Sequence, residues 1–93
     1  MKIISWNALQ AIKFNHQDYE KYTGTGVLVL KLVKLAYSKR TGGHVWLYGV
    51  DEYASKYSVY FKAFKLTKMF AQETFKNIEI TFLNGIVKDA KIW

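Results

Sequence analysis

The apolar residues of this chain come in blocks separated by short polar or glycine-bearing stretches, and the spacing inside each block says what it forms. Residues 27–37, Val-Leu-Val-Leu-Lys-Leu-Val-Lys-Leu-Ala-Tyr, are too β-branched and too apolar on both faces for a surface helix, and predict a long, curved central strand. Ser38-Lys39-Arg40-Thr41-Gly42-Gly43 supplies a polar, flexible hairpin connection, and residues 44–50 alternate as the returning strand. Residues 51–56 read as a polar connection. Alternation then resumes over residues 57–65, with Tyr57, Val59, Phe61 and Ala63 on one face and Ser58, Tyr60, Lys62 and Phe64 on the other.

Thr67 is placed to cap a short helix running to Phe75, with Leu66, Met69 and Phe70 as its buried side, although Phe70 stands where a capping box needs Glu or Gln. Ile78, Ile80 and Phe82 alternate with Glu79 and Thr81, Asn84-Gly85 is a hairpin signal, and residues 86–93 return. A tight two-residue turn opposes Ile80 to Asp89. A longer, bulged loop opposes Ile80 to Ala90 and Ile78 to Ile92, which packs better and is the register expected. The first segment reads two ways: a helix capped by Ser5 that carries Trp6, Leu9, Ile12, His16 and Tyr19 and ends near Gly24, or an extended strand over residues 8–19 turned by Tyr22-Thr23-Gly24-Thr25-Gly26.

Ninety-three residues, 51% of them hydrophobic, suffice for one domain with its own core, so residues 1–93 are expected to form a single unit, with 1–23 packed on a barrel built from 24–93. There is no cysteine, which excludes disulfides and thiolate chemistry and leaves a reducing compartment such as the cytoplasm as the expected location. The start lacks the uninterrupted apolar run of an export signal. The apolar stretch over residues 27–37, broken by Lys31 and Lys34, is far below the roughly 20 residues that span a bilayer, so no membrane association is expected.

Lysine and arginine outnumber aspartate and glutamate 14 to 7, a net charge of +7 that favours an anionic partner. Arg40 is the only arginine, and duplex readout leans on arginine forks, so sequence-specific duplex binding is disfavoured.

The order strand, strand, strand, helix, strand, strand over residues 27–93 resembles an OB fold, a five-stranded, partly open antiparallel barrel with a helix between its third and fourth strands. It is similar in outline to the small single-stranded-DNA-binding proteins of phages and viruses, with no diagnostic motif beyond order and spacing. The expected fold class is therefore mainly β (α+β). The resemblance implies binding of single strands, DNA more than RNA, in the cytoplasm of a host cell if the protein is viral.

The residues point the same way. If Val45 and Leu47 face inward with Tyr57, Val59, Phe61 and Ala63, then His44, Trp46, Tyr48, Tyr60 and Phe64 share the other surface with Lys62. Rings stack on bases whatever their identity, and Lys31, Lys34, Lys39, Arg40 and Lys62 would track the phosphates. The expectation is a non-enzymatic, low-specificity single-strand binder without metal or cofactor. A rival reading takes the same face for a protein-interaction module that docks on an acidic partner or forms a homodimer, because a second aromatic layer in a small domain commonly packs under a helix or in an interface.

Signals for chemistry are weak. His16, Asp18 and Glu20 share one face only on a strand, and a solvated surface accounts for them. His44 stands at the opposite end of a predicted strand from Asp51 and Glu52, with no nucleophile nearby. Gly24-Thr25-Gly26 lacks the Gly-Lys-Ser/Thr that a phosphate loop requires and reads as a turn. An N-terminal amphipathic helix would carry Gln10, Asn15, Asp18 and Glu20 on its polar side, with few lysines for an anionic membrane.

Overall fold

The computed structural model describes residues 4–5, 16–38, 44–62, 64–71 and 74–93. Among them seven strands form one mixed sheet: β1 (Ile4–Ser5), β2 (Glu20–Lys21), β3 (Gly26–Ser38), β4 (His44–Val50), β5 (Lys56–Phe61), β6 (Asn77–Leu83) and β7 (Ile86–Ile92), with one helical turn, α1 (Phe64–Thr67), between β5 and β6. The strand order is β2-β5-β4-β3-β6-β7, and β1 joins β3 beside this path. The long strands pair antiparallel, whereas the two-residue strands β1 and β2 pair parallel with β3 and β5.

The fold is mainly β as expected, but the five-stranded, partly open antiparallel barrel is not what forms: among the described residues the sheet has seven strands, two of them paired parallel, and it does not close. Among the described residues the outer edge of β5 is taken by β2 at Tyr57 and Ser58, and no strand bridges β5 to β7. The sheet is nonetheless strongly staggered. β6 flanks β3 over residues 26–31 and β4 flanks it over residues 31–38, so the two neighbours overlap only at Lys31.

β3 spans the predicted central strand, with a feature that its apolar run concealed. The register with β4 slips between Leu32 and Lys34, leaving Val33 as an extra residue. Such a bulge shifts the alternation by one. Leu28 and Leu30 point into the core before it, and Leu35 does so after it. They meet Val45 and Leu47 of β4, Val59 and Phe61 of β5, and Ile78, Ile80 and Phe82 of β6 in one buried cluster.

The connection after β4 is fixed locally. Asp51 Oδ1 accepts the backbone N–H of Tyr53 at 2.9 Å and of Ser55 at 2.8 Å, while Ala54 takes a left-handed φ of 64°. β5 ends at Phe61, short of the predicted residue 65. The helix is likewise earlier and shorter than expected: Thr67 ends α1 instead of capping it, and a 3-10 turn, Lys68–Ala71, follows. The predicted inward residues hold, since Leu66 and Phe70 are buried and Met69 packs against the core.

The closing hairpin has the packed register, Ile80 opposite Ala90 and Ile78 opposite Ile92. Its turn is nevertheless the tight Asn84-Gly85 pair, both with positive φ (50° and 78°), and the extra residue sits in β7, where the register steps from Phe82–Val87 to Thr81–Asp89. The turn is tied to the entry of β3 by Gly85 N–H donating to Gly24 O at 2.9 Å and Asn84 N–H donating to Thr25 Oγ1 at 2.9 Å, so the Gly24-Thr25 stretch is the turn expected. The predicted N-terminal helix does not reach Gly24: His16–Asp18 is a single 3-10 turn and β2 follows it. The part of that prediction over residues 6–15 lies outside the described residues. No helix among the described residues is long and apolar enough to cross a membrane.

Candidate nucleic-acid interface

Strand register lays the outer face of the sheet out in rows. Lys34, Tyr48 and Ser58 form one row across β3, β4 and β5, and Ala36, Trp46 and Tyr60 form the next. Because Ala36 is small and fully buried, the second row rises from a flat floor into two large rings. Trp46 and Tyr60 are cross-strand partners with ring centroids 4.5 Å apart and planes inclined by 34°. His44 meets Tyr60 edge-on at 5.2 Å, and its Nδ1 is hydrogen-bonded to the Tyr60 hydroxyl. All three rings are half-buried, so each keeps surface open to solvent.

Tyr48 shares this face by parity, yet it is only 1% exposed. Tyr19, from the segment before β2, packs edge-to-face on it at 5.2 Å, and Lys56 Nζ lies 5.7 Å from the centre of the Tyr19 ring. Burial raises the Tyr48 hydroxyl pKa to about 12, and burial, with the neighbouring Asp18 charge as a lesser cause, also raises that of Tyr19. Tyr48 is thus a core residue under a cover, and its ring is not presented to a ligand. The second-layer packing weighed for these aromatics is realised at Tyr48, where Tyr19 is the cover among the described residues.

Of the cations expected here, Lys31 and Lys62 are exposed and Lys34 is half-buried. The Val33 bulge is what brings Lys31 and Lys34 to the same side of β3, since without it residues three apart would face opposite ways. Lys39 and Arg40 lie outside the described residues. Phe64 leaves the predicted strand altogether, because β5 has stopped and Phe64 opens α1. The carboxylates weighed for chemistry have other surroundings: Asp18 and Glu20 are exposed, and Asp51 holds its own turn at the far end of β4 from His44.

The sequence reading missed the seam where a closed barrel would join β5 to β7. There a cavity of about 310 Å³ opens between the edge of β5 and the β6–β7 hairpin. Buried Val59, Phe61, Leu66 and Phe82 line its inner side, Trp46 and Tyr60 its outer side, and exposed Lys21 and Lys62 also contribute to it. No spacing in the sequence announces this site, since it depends on a two-residue parallel strand that carries no periodicity.

No protein-family model matches the chain, and no curated protein or solved structure matches it either.

Proposed function

We propose that this protein binds single-stranded nucleic acid, DNA in preference to RNA, with low sequence specificity and without catalysis. The observation that carries this reading is the Trp46–Tyr60 pair, two half-buried rings standing side by side on an outer sheet face. Unpaired bases stack on such rings for roughly 1–3 kcal/mol each, whatever their identity. Lys34 lies one row away, Lys62 follows β5, Lys31 lies beyond the bulge, and the chain as a whole carries a +7 charge, so cations are available for the phosphates on either side. Lys39 and Arg40, between β3 and β4 in the sequence, belong to the proposed phosphate path. The strand order β5-β4-β3-β6-β7 with a helical turn between β5 and β6 supports an OB-like origin for the sheet, opened along one seam. The cytoplasm, of a host cell if the protein is viral, is the compartment that fits this reading.

The test is fluorescence anisotropy of a labelled mixed-sequence single strand at low and moderate salt, in competition with the matching duplex. Binding that weakens steeply with salt and that the duplex competes poorly is the expected result, with Trp46→Ala and Tyr60→Ala each lowering affinity about tenfold while the fold is kept. Absence of binding at low salt overturns the proposal.

A second reading, a protein-interaction module that self-associates or takes an acidic partner, is favoured by one observation. Val27 and Val29 on the outer face of β3, with Tyr53 81% exposed nearby, form an apolar area away from the aromatic rows. Sedimentation equilibrium separates the two readings. A dimer disrupted by Val29→Lys with strand binding intact assigns that surface to self-association, and a monomer at all concentrations removes it.

A further inference from the structure

Building on the single-strand reading, we infer that the seam between β5 and the β6–β7 hairpin is a subsite for one nucleotide, its base inserted edge-first past Trp46 and Tyr60 and its phosphate held by Lys21 and Lys62. The stacking face alone explains adsorption of a strand. The seam adds a place where one base leaves the stack.

Four features converge on this. The cavity, about 310 Å³, lies at the low end of the roughly 300–1,000 Å³ typical of small-molecule sites, a size for one ring system with its sugar and not for a peptide strand. It is continuous with the aromatic face, because Trp46 and Tyr60 line it as well as forming the outer stack. Its inner wall is apolar, with Val59, Phe61 and Phe82 to hold the faces of a ring, while Ser58 brings a hydroxyl that can donate to or accept from a base edge. Beyond Ser58, finally, no described strand pairs with the outer edge of β5, and residues 59–61 of that edge all line the cavity.

The cations match the direction of entry. Lys21 and Lys62 are both exposed cavity-lining residues, and among the described residues no aspartate or glutamate lines the cavity with them. An apolar slot with cations at its exposed side suits a flat heterocycle carrying an anionic tail, whether a free mononucleotide or a nucleotide within a strand.

The experiment is a pair of titrations of the whole protein followed by ¹H–¹⁵N correlation spectra, one with thymidine 5′-monophosphate and one with an oligothymidylate about ten residues long. Octanoate serves as an aliphatic anion control. Saturable shifts of the amides at Val59–Lys62 and at Gly85–Val87 with both nucleotide ligands are expected, and Ile86→Glu, an exposed change at the rim, should weaken the mononucleotide about tenfold or more through like-charge repulsion. Shifts with the mononucleotide alone support the subsite, assign it to free nucleotides and overturn the strand-binding reading. Oligonucleotide shifts confined to His44, Trp46 and Tyr60 overturn the subsite and leave the stacking face standing. Silence with both ligands overturns both. Octanoate perturbing the same seam amides as strongly as the mononucleotide overturns the assignment to a base.

Discussion

The two halves of β3 have the same apolar character and opposite fates on their outer face. Before the Val33 bulge, Leu30 is fully buried on the inside while Val27 and Val29 on the outside are 57% and 47% exposed. After it, inner Leu35 and outer Ala36 are both buried, because Tyr48 of β4 stands beside Ala36 and Tyr19 covers Tyr48. The same kind of strand is thus one-sided at one end and two-sided at the other. What differs is the cover, and the cover comes from a distant part of the chain. Apolar composition records that a surface can be buried; it does not record which end finds a lid.

The sharpest way to break this comparison is to strike the inner face, which both halves share. Leu30→Ala removes a fully buried side chain that packs with Ile78 and Ile80, and should cost about 2–5 kcal/mol in urea unfolding. A loss below about 1 kcal/mol would mean that the core tolerates collapse around β3, and the distinction between its faces would lose its basis.

Gly49 tests the joint between the halves. It lies opposite Leu32, beside the bulge, where a Cβ would come within 2.9 Å of both Leu30 Cβ and the Lys31 carbonyl oxygen. A side-chain atom can give way, but a main-chain oxygen held in the ladder cannot do so without moving the strand. Gly49→Ala is therefore expected to cost about 1–3 kcal/mol, with its strongest amide shifts at Lys31 and Leu32.

These joints also explain how much the chain gave away in advance. Alternation in residues 44–50 and 78–82 was sufficient to place β4 and β6, and the need to pack Ile78 against Ile92 selected the hairpin register. The bulge had one legible sign: Lys31 and Lys34 are three residues apart, so a strand that keeps both outside must gain a residue between them. The helix was misplaced because Thr67 is a good cap in isolation, whereas the early end of β5 decided where the chain could turn. At the site, parity placed His44, Trp46, Tyr48 and Tyr60 on one face, but parity is blind to cover, and Tyr48 lies beneath Tyr19.

That cover can be removed from above. Tyr19→Ala deletes an edge-to-face contact worth roughly 0.5–1.5 kcal/mol and should lower stability by about that amount plus the lost burial. Its more diagnostic effect is on titration. With less burial, the Tyr48 hydroxyl should ionise at a lower pH than the value of about 12 it has beneath Tyr19. Ultraviolet absorbance titration of tyrosinate reads this directly, and an unmoved Tyr48 would show that groups other than Tyr19 are enough to bury it.

The same group gives the intact protein a pH dependence of known sign. Tyrosine in the unfolded chain ionises near its usual value of 10.0, while folded Tyr48 holds its proton up to about 12. Below pH 10 both states are protonated and the group has no effect. Between about 10 and 12 the unfolded state sheds the proton first, so stability should fall as pH rises, by at most about 1.4 kcal/mol per unit. Urea midpoints that stay level across that window would argue against the burial of Tyr48.

The smallest effect belongs to the open end of β3. Val29→Thr keeps the β-branch, places a hydroxyl where the side chain is already 47% exposed, and leaves the pairing with Glu79 untouched. If that face is uncovered, stability should change by no more than about 0.5 kcal/mol. A larger loss, particularly one that grows with protein concentration, would mean that the outer valines are buried in solution against a second copy of the chain. The one-sided half of β3 would then also be two-sided, with its lid supplied from outside.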